Sequence, residues 1–415
     1  ENFLEEKLNL KWAKDRNVAI APNGAMFKRD KQGFLPELME KMYTERVVYK
    51  KKAIEAKKEF QKTKDPIYSN EISRCHNIQM AKKISLNSAY GAIGNQYFRY
   101  FDVKQAEAIT LGGQLSIRWV ERDVNRFMNK LLGTDNKNYV VASDTDSIYL
   151  KLDTLVEKVC KGKSTKQIVE FLNKAAEDKI QKVIDDSYQN LAHYVNAYQQ
   201  KMIMKREAIA NKGIWVAKKR YMMNVFDEEG VQYDIPKLKI MGVEAVKSST
   251  PEVCRGKIKD AIRVIMNDSE DALIKFVNDF KEVFKTLSPE EVAFPRSCNN
   301  VNRYVDSNSI YKKGTPIHVK GALIYNHHIN KHRLSAKYPI IKDGDKIKFL
   351  MLKQPNTVKD TVISFSTKIP YEFDLHKYVD YDTQFEKTFT DPLKFILDSI
   401  GWKLEREATL EAFFG

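Results

Sequence analysis

Two aspartates, Asp144 and Asp146, stand two positions apart between short runs of β-branched and aromatic residues. The pattern of residues 139–150 predicts a strand, a tight connection and a second strand. In an extended segment this spacing puts both carboxylates on one face, where they repel each other unless they share a cation. Oxygen ligands favour magnesium, or manganese in its place, over zinc. The pair therefore predicts a divalent-metal site, and a solvated Asp-rich turn is the alternative.

A second candidate site lies on a predicted helix over about residues 70–90. Lys83, Asn87 and Tyr90 stand at positions i, i+4 and i+7, which share one helix face. A cation, an amide and an aromatic ring suit a nucleoside triphosphate, because its phosphates need charge and its base needs a flat surface. The alternative is a helix that packs Tyr90 and leaves Lys83 solvated.

Arg46 and Lys50 are spaced i, i+4 on another predicted helix, over residues 36–61. A Lys-Asp-Pro break separates this helix from the one that carries Lys83, so residues 36–90 predict an antiparallel helical hairpin. In such a hairpin, Arg46 and Lys50 would join Lys83 in one triphosphate clamp. A solvated basic face is the alternative.

The remaining pattern predicts the elements that hold these sites. Helical periodicity dominates on both sides of the Asp pair, residues 202–240 resemble strands with an Asp-Glu-Glu-Gly turn, and the chain is irregular from Ser288 onward. We expect helices over 1–17, 104–132, 164–200, 251–267 and on to 287, strands over 18–30, 214–226, 231–240 and 346–352, and a last helix from Pro392.

The composition describes a basic, globular chain. Of its 415 residues, 43% are hydrophobic, which argues against a disordered protein and allows two or three domains. Lys and Arg number 70 against 55 Asp and Glu, a formal net charge of +15. This excess predicts a polyanionic partner, most simply nucleic acid, and a merely soluble basic protein is the alternative.

Few features of the sequence indicate a cellular compartment. No apolar run approaches the length of a membrane span and no signal peptide is present, so we expect neither a membrane partner nor secretion. The chain begins at Glu1 rather than Met, which predicts a fragment or a processed piece. Four cysteines at no zinc-site spacing predict buried or free thiols of a reducing compartment: Cys75, Cys160, Cys254 and Cys298.

Longer motifs resemble the B-family DNA polymerases. Residues 83–95, followed downstream by residues 143–147, resemble the second and third polymerase motifs of that family in the same order and at a fitting separation. The likeness covers nearly the whole chain. Four further stretches are similar to the T-even bacteriophage type of replicative polymerase: 98–102, 206–210, 218–221 and 236–242.

The resemblance implies an α+β fold with the right-hand architecture of the family. This architecture has an antiparallel-sheet palm, helical-hairpin fingers and a mostly helical thumb. The implied domains are 1–33 as the first part of the palm, 34–95 as the fingers, 96–241 as the second part of the palm and 242–415 as the thumb.

The resemblance also implies roles for individual residues. Asp146 would be the principal ligand of two magnesium ions, with Asp144 beside it and Glu207 as a supporting acid, and Lys83 would complete the catalytic set. The implied nucleotide-binding residues are Arg46, Lys50, Lys83, Asn87, Tyr90 and Gly91. The implied DNA-binding residues are Lys218, Lys219, Arg220, Tyr221, Lys237 and Lys239. For residues 218–221 a basic edge strand is the alternative.

The chain departs from the family pattern in several places. Ser143 stands where members usually carry Gly, Lys205 stands where T-even members have an acid, and the helical hairpin is shorter. The first polymerase motif, which carries another metal-binding Asp, is not found, nor are the exonuclease and the amino-terminal domain. We therefore expect an amino-terminal chain or segment as a partner, because this sequence is either a fragment or one subunit of a split polymerase.

The last residues form an apolar pattern at the chain end. Leu410, Phe413 and Phe414 resemble the sliding-clamp-binding tail of replicative polymerases, and docking onto the protein's own surface is the alternative.

Together the motifs predict the carboxy-terminal catalytic portion of a DNA-directed DNA polymerase. It would extend a primer-template with deoxynucleoside triphosphates in the cytoplasm of a bacterial host infected by a phage. A non-catalytic DNA-binding or clamp-tethering remnant is the competing hypothesis. An RNA polymerase or reverse transcriptase fits less well.

Overall fold

The computed structural model describes residues 1–306 and 309–404, and its internal contacts divide the chain into two compact units. Unit 1 comprises Glu1–Ala210 and Val225–Pro236. Unit 2 comprises Asn211–Asn224 and the described part of Lys237–Gly415.

Unit 1 opens with short elements and a long helical hairpin. Its first elements are α1 (Lys11–Asp15) and the antiparallel pair β1 (Val18–Ile20) and β2 (Met26–Lys28). The predicted helix over residues 1–17 is therefore wrong for most of its length. Residues before α1 instead follow an irregular path, in which the Arg122 guanidinium donates to the Leu4 carbonyl.

The hairpin consists of α2 (Phe34–Thr63) and α3 (Pro66–Ile93), which confirms the predicted antiparallel pair. The break between them has a clear local cause. Lys64 adopts a left-handed φ of 58° that ends α2. Asp65 then accepts a hydrogen bond of 2.9 Å from the backbone N–H of Ile67, which caps the start of α3 just before Pro66.

The rest of unit 1 packs around a long amphipathic helix. This helix, α4 (Val103–Leu132), is capped by the Asp102 side chain and ends at Gly133 with a left-handed φ of 64°, as predicted. After it come β3 (Val140–Asp144), β4 (Ser147–Leu150), α5 (Asp153–Val159), α6 (Thr165–Ala175), a π-helical turn (Ala176–Ile180) and α7 (Gln181–Tyr194).

A meander of three strands, in the order β5-β6-β7, contributes residues to both units. Its strands are β5 (Ala208–Ala217), β6 (Arg220–Glu228) and β7 (Val231–Met241). The single strand predicted over 214–226 is wrong, because the chain turns at Lys218 and Lys219. Lys219 takes a left-handed φ of 61°. Neither residue is a Gly or Asn, so the usual turn signal is missing.

Unit 2 combines helices with a second antiparallel sheet in the order β10-β9-β8. Its buried hydrophobic residues form one core cluster, whose first member along the chain is Met222 and whose last is Leu397. Its elements are α8 (Glu252–Asn267), α9 (Glu270–Phe284), α10 (Pro289–Val292), β8 (Phe294–Cys298), α11 (Ile317–Lys331), β9 (Asp345–Met351), β10 (Val362–Phe365), α12 (Tyr381–Phe385), a π-helical turn (Glu386–Thr390) and α13 (Asp391–Asp398).

Helix α11 was not predicted, because the sequence after Ser288 looked irregular. The helix packs on β10 and is buried along most of its length, so it lacks the apolar stripe that marks a surface helix. The combination of helices with antiparallel sheets nevertheless confirms the predicted α+β fold class.

Two further sequence predictions concern cysteines and membranes. The four cysteines are buried and free, as expected for structural thiols. Within residues 1–306 and 309–404, we find no helix whose length and apolar character would suit a membrane span.

His328 on α11 lies in a buried aromatic cluster. Its ring centroid lies 5.7 Å from that of Phe373 and 5.9 Å from that of His332, and 8% of the residue is exposed. Burial, assisted by the nearby charges of His327, Lys331 and His332, lowers the pKa of His328 to about 4. The structure therefore holds this imidazole in its neutral form.

Acid is expected to destabilise the chain through His328. In the unfolded chain the imidazole takes up a proton near pH 6.5, whereas in the folded chain it does so only near pH 4. The free energy of unfolding should therefore fall by about 3 kcal/mol as the pH drops from 6.5 to 4, and this contribution should level off below pH 4. Urea denaturation at several pH values, with His328→Leu beside His76→Gln on α3, measures the effect. An unchanged slope in His328→Leu would contradict it.

Candidate active site

The Asp pair lies at the tip of a β-hairpin. Asp144 pairs with Ser147 at the ends of β3 and β4, so Thr145 and Asp146 form a two-residue turn. The N–H of Asp146 donates to the Asp144 carbonyl at 2.6 Å, and the Thr145 hydroxyl donates to the Asp144 carboxylate at 3.0 Å. The predicted strand, tight connection and strand are confirmed. Asp146, however, belongs to the turn rather than to an extended strand.

Thr145 adopts a left-handed φ of 57° in this turn. A β-branched residue rarely takes this conformation, because its Cβ substituents crowd the backbone. Such strain persists where the surrounding structure enforces it, and it often marks functional sites.

The base of the hairpin is anchored in the core of unit 1. Tyr139 and Val140 are 1% and 3% exposed and pack with core residues of α4. The side-chain oxygen of Asn125 on α4 accepts the backbone N–H of Tyr139 at 2.8 Å and that of Val140 at 3.2 Å. The tip is therefore held by buried packing and by hydrogen bonds at its base.

Asp146 is exposed at the tip and faces α7. Burial, together with the negative charge of Asp146, raises the pKa of the Tyr188 hydroxyl on that helix. The carboxylate therefore lies close enough to Tyr188 for its charge to act on the phenol.

Glu207 stands just before β5 and is fixed through its backbone. Its carbonyl accepts the N–H of Glu229 from the turn between β6 and β7 at 2.7 Å. The neighbouring Arg206 donates to the carboxylate of Asp227, which is 2% exposed, and to the side-chain oxygen of Asn173. Glu207 itself is exposed.

The carboxylates offer only part of a metal site. Asp144, Asp146 and Glu207 supply the hard oxygen donors that magnesium prefers, so their chemistry fits the predicted ion. In the part of the chain that the structure describes, no three His, Cys, Asp or Glu side chains converge on a common metal position. These three residues therefore do not form a complete ligand set by themselves.

The residues of α3 that are predicted to bind nucleotide lie at the surface. Lys83, Asn87, Tyr90 and Gly91 are all exposed. The hydroxyls of Tyr90 and Thr110, a residue of α4, share a hydrogen bond of 2.6 Å that orients the ring. Tyr90 is 44% exposed and contacts α4 through its hydroxyl, and Lys83 is exposed.

The two cations on α2 have different surroundings. An ion pair of 2.5 Å between Glu45 of α2 and Lys82 of α3 joins the two helices. The next residue after Glu45 is Arg46, and the next after Lys82 is Lys83. The Nε of Arg46 is buried, and within the described residues it has no hydrogen-bond partner. Lys50, one turn later, forms an ion pair with Glu229.

The predicted DNA-binding residues are only partly at the surface. Lys218 and Lys219 are exposed in the turn between β5 and β6, whereas Tyr221 is 6% exposed and stacks on Trp215. Arg220 pairs with Glu244 at 2.6 Å. On β7, Lys237 is exposed and Lys239 half-buried. Lysines, rather than the ring of Tyr221, therefore form the accessible basic surface.

The predicted clamp-binding residues Leu410, Phe413 and Phe414 lie outside the described residues. Sequence reasoning found neither the Arg206–Asp227 ion pair nor the pairing of Lys50 with Glu229. The Asp-Glu-Glu-Gly segment indicated only a turn.

Comparison with known proteins identifies the family of this chain. A family model described as DNA polymerase family B matches residues 2–400. The chain belongs to DNA polymerase family B. This family B chain is 32% identical to the DNA-directed DNA polymerase of Enterobacteria phage T4, over 96% of the chain and 50% of the relative. Identity to the polymerase of Escherichia phage RB69 is also 32%, over 95% and 50% respectively.

More distant similarity supports the fold. The DNA polymerase 1 of Pyrococcus abyssi is 27% identical over 97% of the chain and 44% of its own length. The solved family B polymerase of Pyrobaculum calidifontis is similar with a TM-score of 0.51 and 19% identity, over 93% of this chain and 41% of that one. The chain spans about half the length of the curated relatives it matches.

Proposed function

We propose that this family B chain is the carboxy-terminal catalytic part of a T-even-like phage replicative DNA polymerase. It would transfer deoxynucleotides to a primer 3′ end in the cytoplasm of the bacterial host. The observation that carries the proposal is the β3–β4 hairpin, whose buried base presents Asp144 and Asp146 at an ordered tip. The 32% identity to two phage polymerases supports the same reading.

The carboxylates would hold two magnesium ions. Asp146 and Asp144 would be ligands and Glu207 a supporting acid, and manganese is a chemically similar substitute. When bound, such ions lower the pKa of an attacking hydroxyl and neutralise the charge of a leaving pyrophosphate. The contribution of this chain is to fix the carboxylates, through the Asn125 contacts of the hairpin and the backbone contact of Glu207.

The helical hairpin would bind the incoming nucleotide. Lys83, with Arg46 and Lys50, would neutralise the triphosphate, and Asn87 would assist. Tyr90 and Gly91 would face the nascent base pair, with the Tyr90 ring held by its contact with α4. Positioning the triphosphate and the primer end together removes much of the entropic barrier to the reaction.

The right-hand domains are part of the proposal. We assign 1–33 and 96–241 to the palm, 34–95 to the fingers and 242–415 to the thumb. Lys218, Lys219, Lys237 and Lys239 would contact the phosphates of the primer-template, with binding that weakens as salt rises. Leu410, Phe413 and Phe414 would bind a sliding clamp.

The incomplete ligand set supports a further element of the proposal. An upstream chain or segment would supply the first polymerase motif, and with it another carboxylate, together with the exonuclease. The active site would then be shared between this chain and that part.

Primer extension by this chain, alone and with the upstream part of the polymerase, tests the proposal. Alone, the chain is expected to bind primer-template DNA but to extend it at least about 100-fold more slowly, because removing a metal carboxylate removes several kcal/mol of transition-state stabilisation. Together, the parts should extend the primer efficiently. Efficient synthesis by the chain alone would refute the shared site, and no synthesis by the assembled parts would refute the polymerase function.

A further inference from the structure

The turn between β6 and β7, residues 227–230, is unusually well fixed. Asp227 is almost completely buried, and its carboxylate accepts both the Arg206 guanidinium and the N–H of Gly230 at 2.9 Å. The N–H of Glu229 donates to the Glu207 carbonyl at 2.7 Å. This turn is thus attached to the segment that carries the supporting acid of the site.

The same turn contacts the helical hairpin. The Glu229 carboxylate forms an ion pair with the Lys50 ammonium on α2. The Lys58 ammonium, also on α2, lies beside Gly230. A Cβ added to this glycine would be 3.1 Å from the Lys58 Nζ. The turn therefore touches α2 at two positions, and one of them is a predicted ligand of the triphosphate.

Glu229 adopts a backbone conformation that is unfavourable for a residue with a side chain. Its φ is 54°, in the left-handed region that turns usually fill with Gly or Asn. Only 25% of the Glu229 side chain is exposed, against 43% for Lys50. The carboxylate is therefore partly desolvated and paired with the Lys50 ammonium, whereas a solvated turn residue needs neither burial nor a cation.

We propose that Glu229 is a positioning residue that competes with the incoming nucleotide for Lys50. Without nucleotide, Glu229 holds the ammonium against the β6–β7 turn. A triphosphate carries several negative charges against one on Glu229, so Lys50 transfers its contact to the phosphates when nucleotide binds. This inference rests on the proposed function, because it takes Lys50 as a triphosphate ligand.

The exchange has a measurable cost. Part of the affinity for nucleotide is used to break the Lys50–Glu229 pair, and a partly exposed pair of this kind corresponds to a factor of about two to five in an equilibrium constant. Because the backbone N–H of Glu229 is hydrogen-bonded to Glu207, release of Lys50 also removes one of the two contacts between α2 and the segment that carries Glu207.

The test compares nucleotide binding by variants of the complete polymerase on a primer-template. Glu229→Gln removes the competing charge, so the Kd for dATP opposite a templating dT should fall about two- to fivefold, with the maximal rate unchanged. Glu228→Gln, in the same turn, retains the Lys50 pair and should leave this Kd unchanged. The gain should shrink at high salt, because the pair is partly exposed.

A double-mutant cycle then assigns the gain to Lys50. In a Lys50→Ala background, Glu229→Gln should have no effect on the Kd. Tighter binding that persists without Lys50, or an unchanged or weaker Kd in Glu229→Gln alone, overturns the inference. If Lys50→Ala weakens nucleotide binding and Glu229→Gln does nothing, only this inference fails. If the wild-type assembly binds no nucleotide, the proposed function fails with it.

Discussion

Replacing Asp146 with Asn is expected to lower single-nucleotide incorporation by the complete polymerase by at least about 10³-fold. The amide is neutral and a weak magnesium ligand, so the variant would lose several kcal/mol of the charge stabilisation that the proposed metal ions would supply. The fold should be unaffected, because Asp146 is exposed at the tip of a hairpin whose base is buried. Single-turnover extension with saturating nucleotide measures the change.

Asp178→Asn is the matched control for this prediction. Asp178 is likewise an exposed aspartate of unit 1, but it lies in the π-helical turn between α6 and α7. Its replacement should leave incorporation unchanged. Nearly normal synthesis by Asp146→Asn would instead favour the competing hypothesis, in which the chain only binds DNA or tethers a clamp.

Gly321→Ala is expected to lower the free energy of unfolding by about 3 kcal/mol, because it forces apart two closely packed elements. Gly321 lies in α11, where a Cβ would sit 2.5 Å from the Ser364 hydroxyl and 2.8 Å from the Ser364 backbone nitrogen. Ser364 is fully buried in β10, and its hydroxyl donates to the His318 carbonyl at 2.8 Å, so it has no room to move. Urea denaturation followed by circular dichroism measures the loss.

A second glycine in unit 2 provides the control. Gly256 lies in α8, and a Cβ there would meet nothing within 4 Å. Gly256→Ala should therefore stabilise the chain by up to about 1 kcal/mol, because Ala is the better helix former. If both variants changed stability in the same direction and by similar amounts, the close approach of α11 to β10 would be refuted.

Elements with a clear local signal were predictable from the sequence. Helix α8 ends at the predicted residue and begins one residue after the predicted Pro251, and α4 begins one residue before its predicted start. These helices combine an apolar stripe with recognisable ends, such as the Asp102 cap and the terminal Gly133 of α4. The hairpin of α2 and α3 was predicted for the same reason, although both helices extend beyond their expected ends.

Elements defined by tertiary burial were not predictable. Helix α11 lies against β10 and is buried on several sides, so its sequence shows neither helical nor strand periodicity. The turn at Lys218 and Lys219 was missed because its left-handed residue is a lysine. In both places the surrounding structure, rather than local preference, decides the conformation.

In the candidate site, too, local features were predictable and long-range contacts were not. The turn at Asp144 and Asp146 followed from local pattern, and so did the shared face of Lys83, Asn87 and Tyr90. The partner of Lys50 did not, because Glu229 is far away along the chain and only folding brings the two together. The burial of Tyr221 against Trp215 was likewise invisible in the sequence.

Helix α4 contacts both parts of the proposed site. Thr110 contacts Tyr90 on the proposed nucleotide face of α3, and Asn125 holds the base of the hairpin that carries Asp144 and Asp146. About 15 residues separate them, which corresponds to roughly 22 Å of helix. One inserted residue would rotate one contact by about 100° relative to the other, and seven would nearly restore the phase but add about 10 Å. The length of α4 therefore fixes both the distance and the angle between the Tyr90 contact and the Asn125 contact.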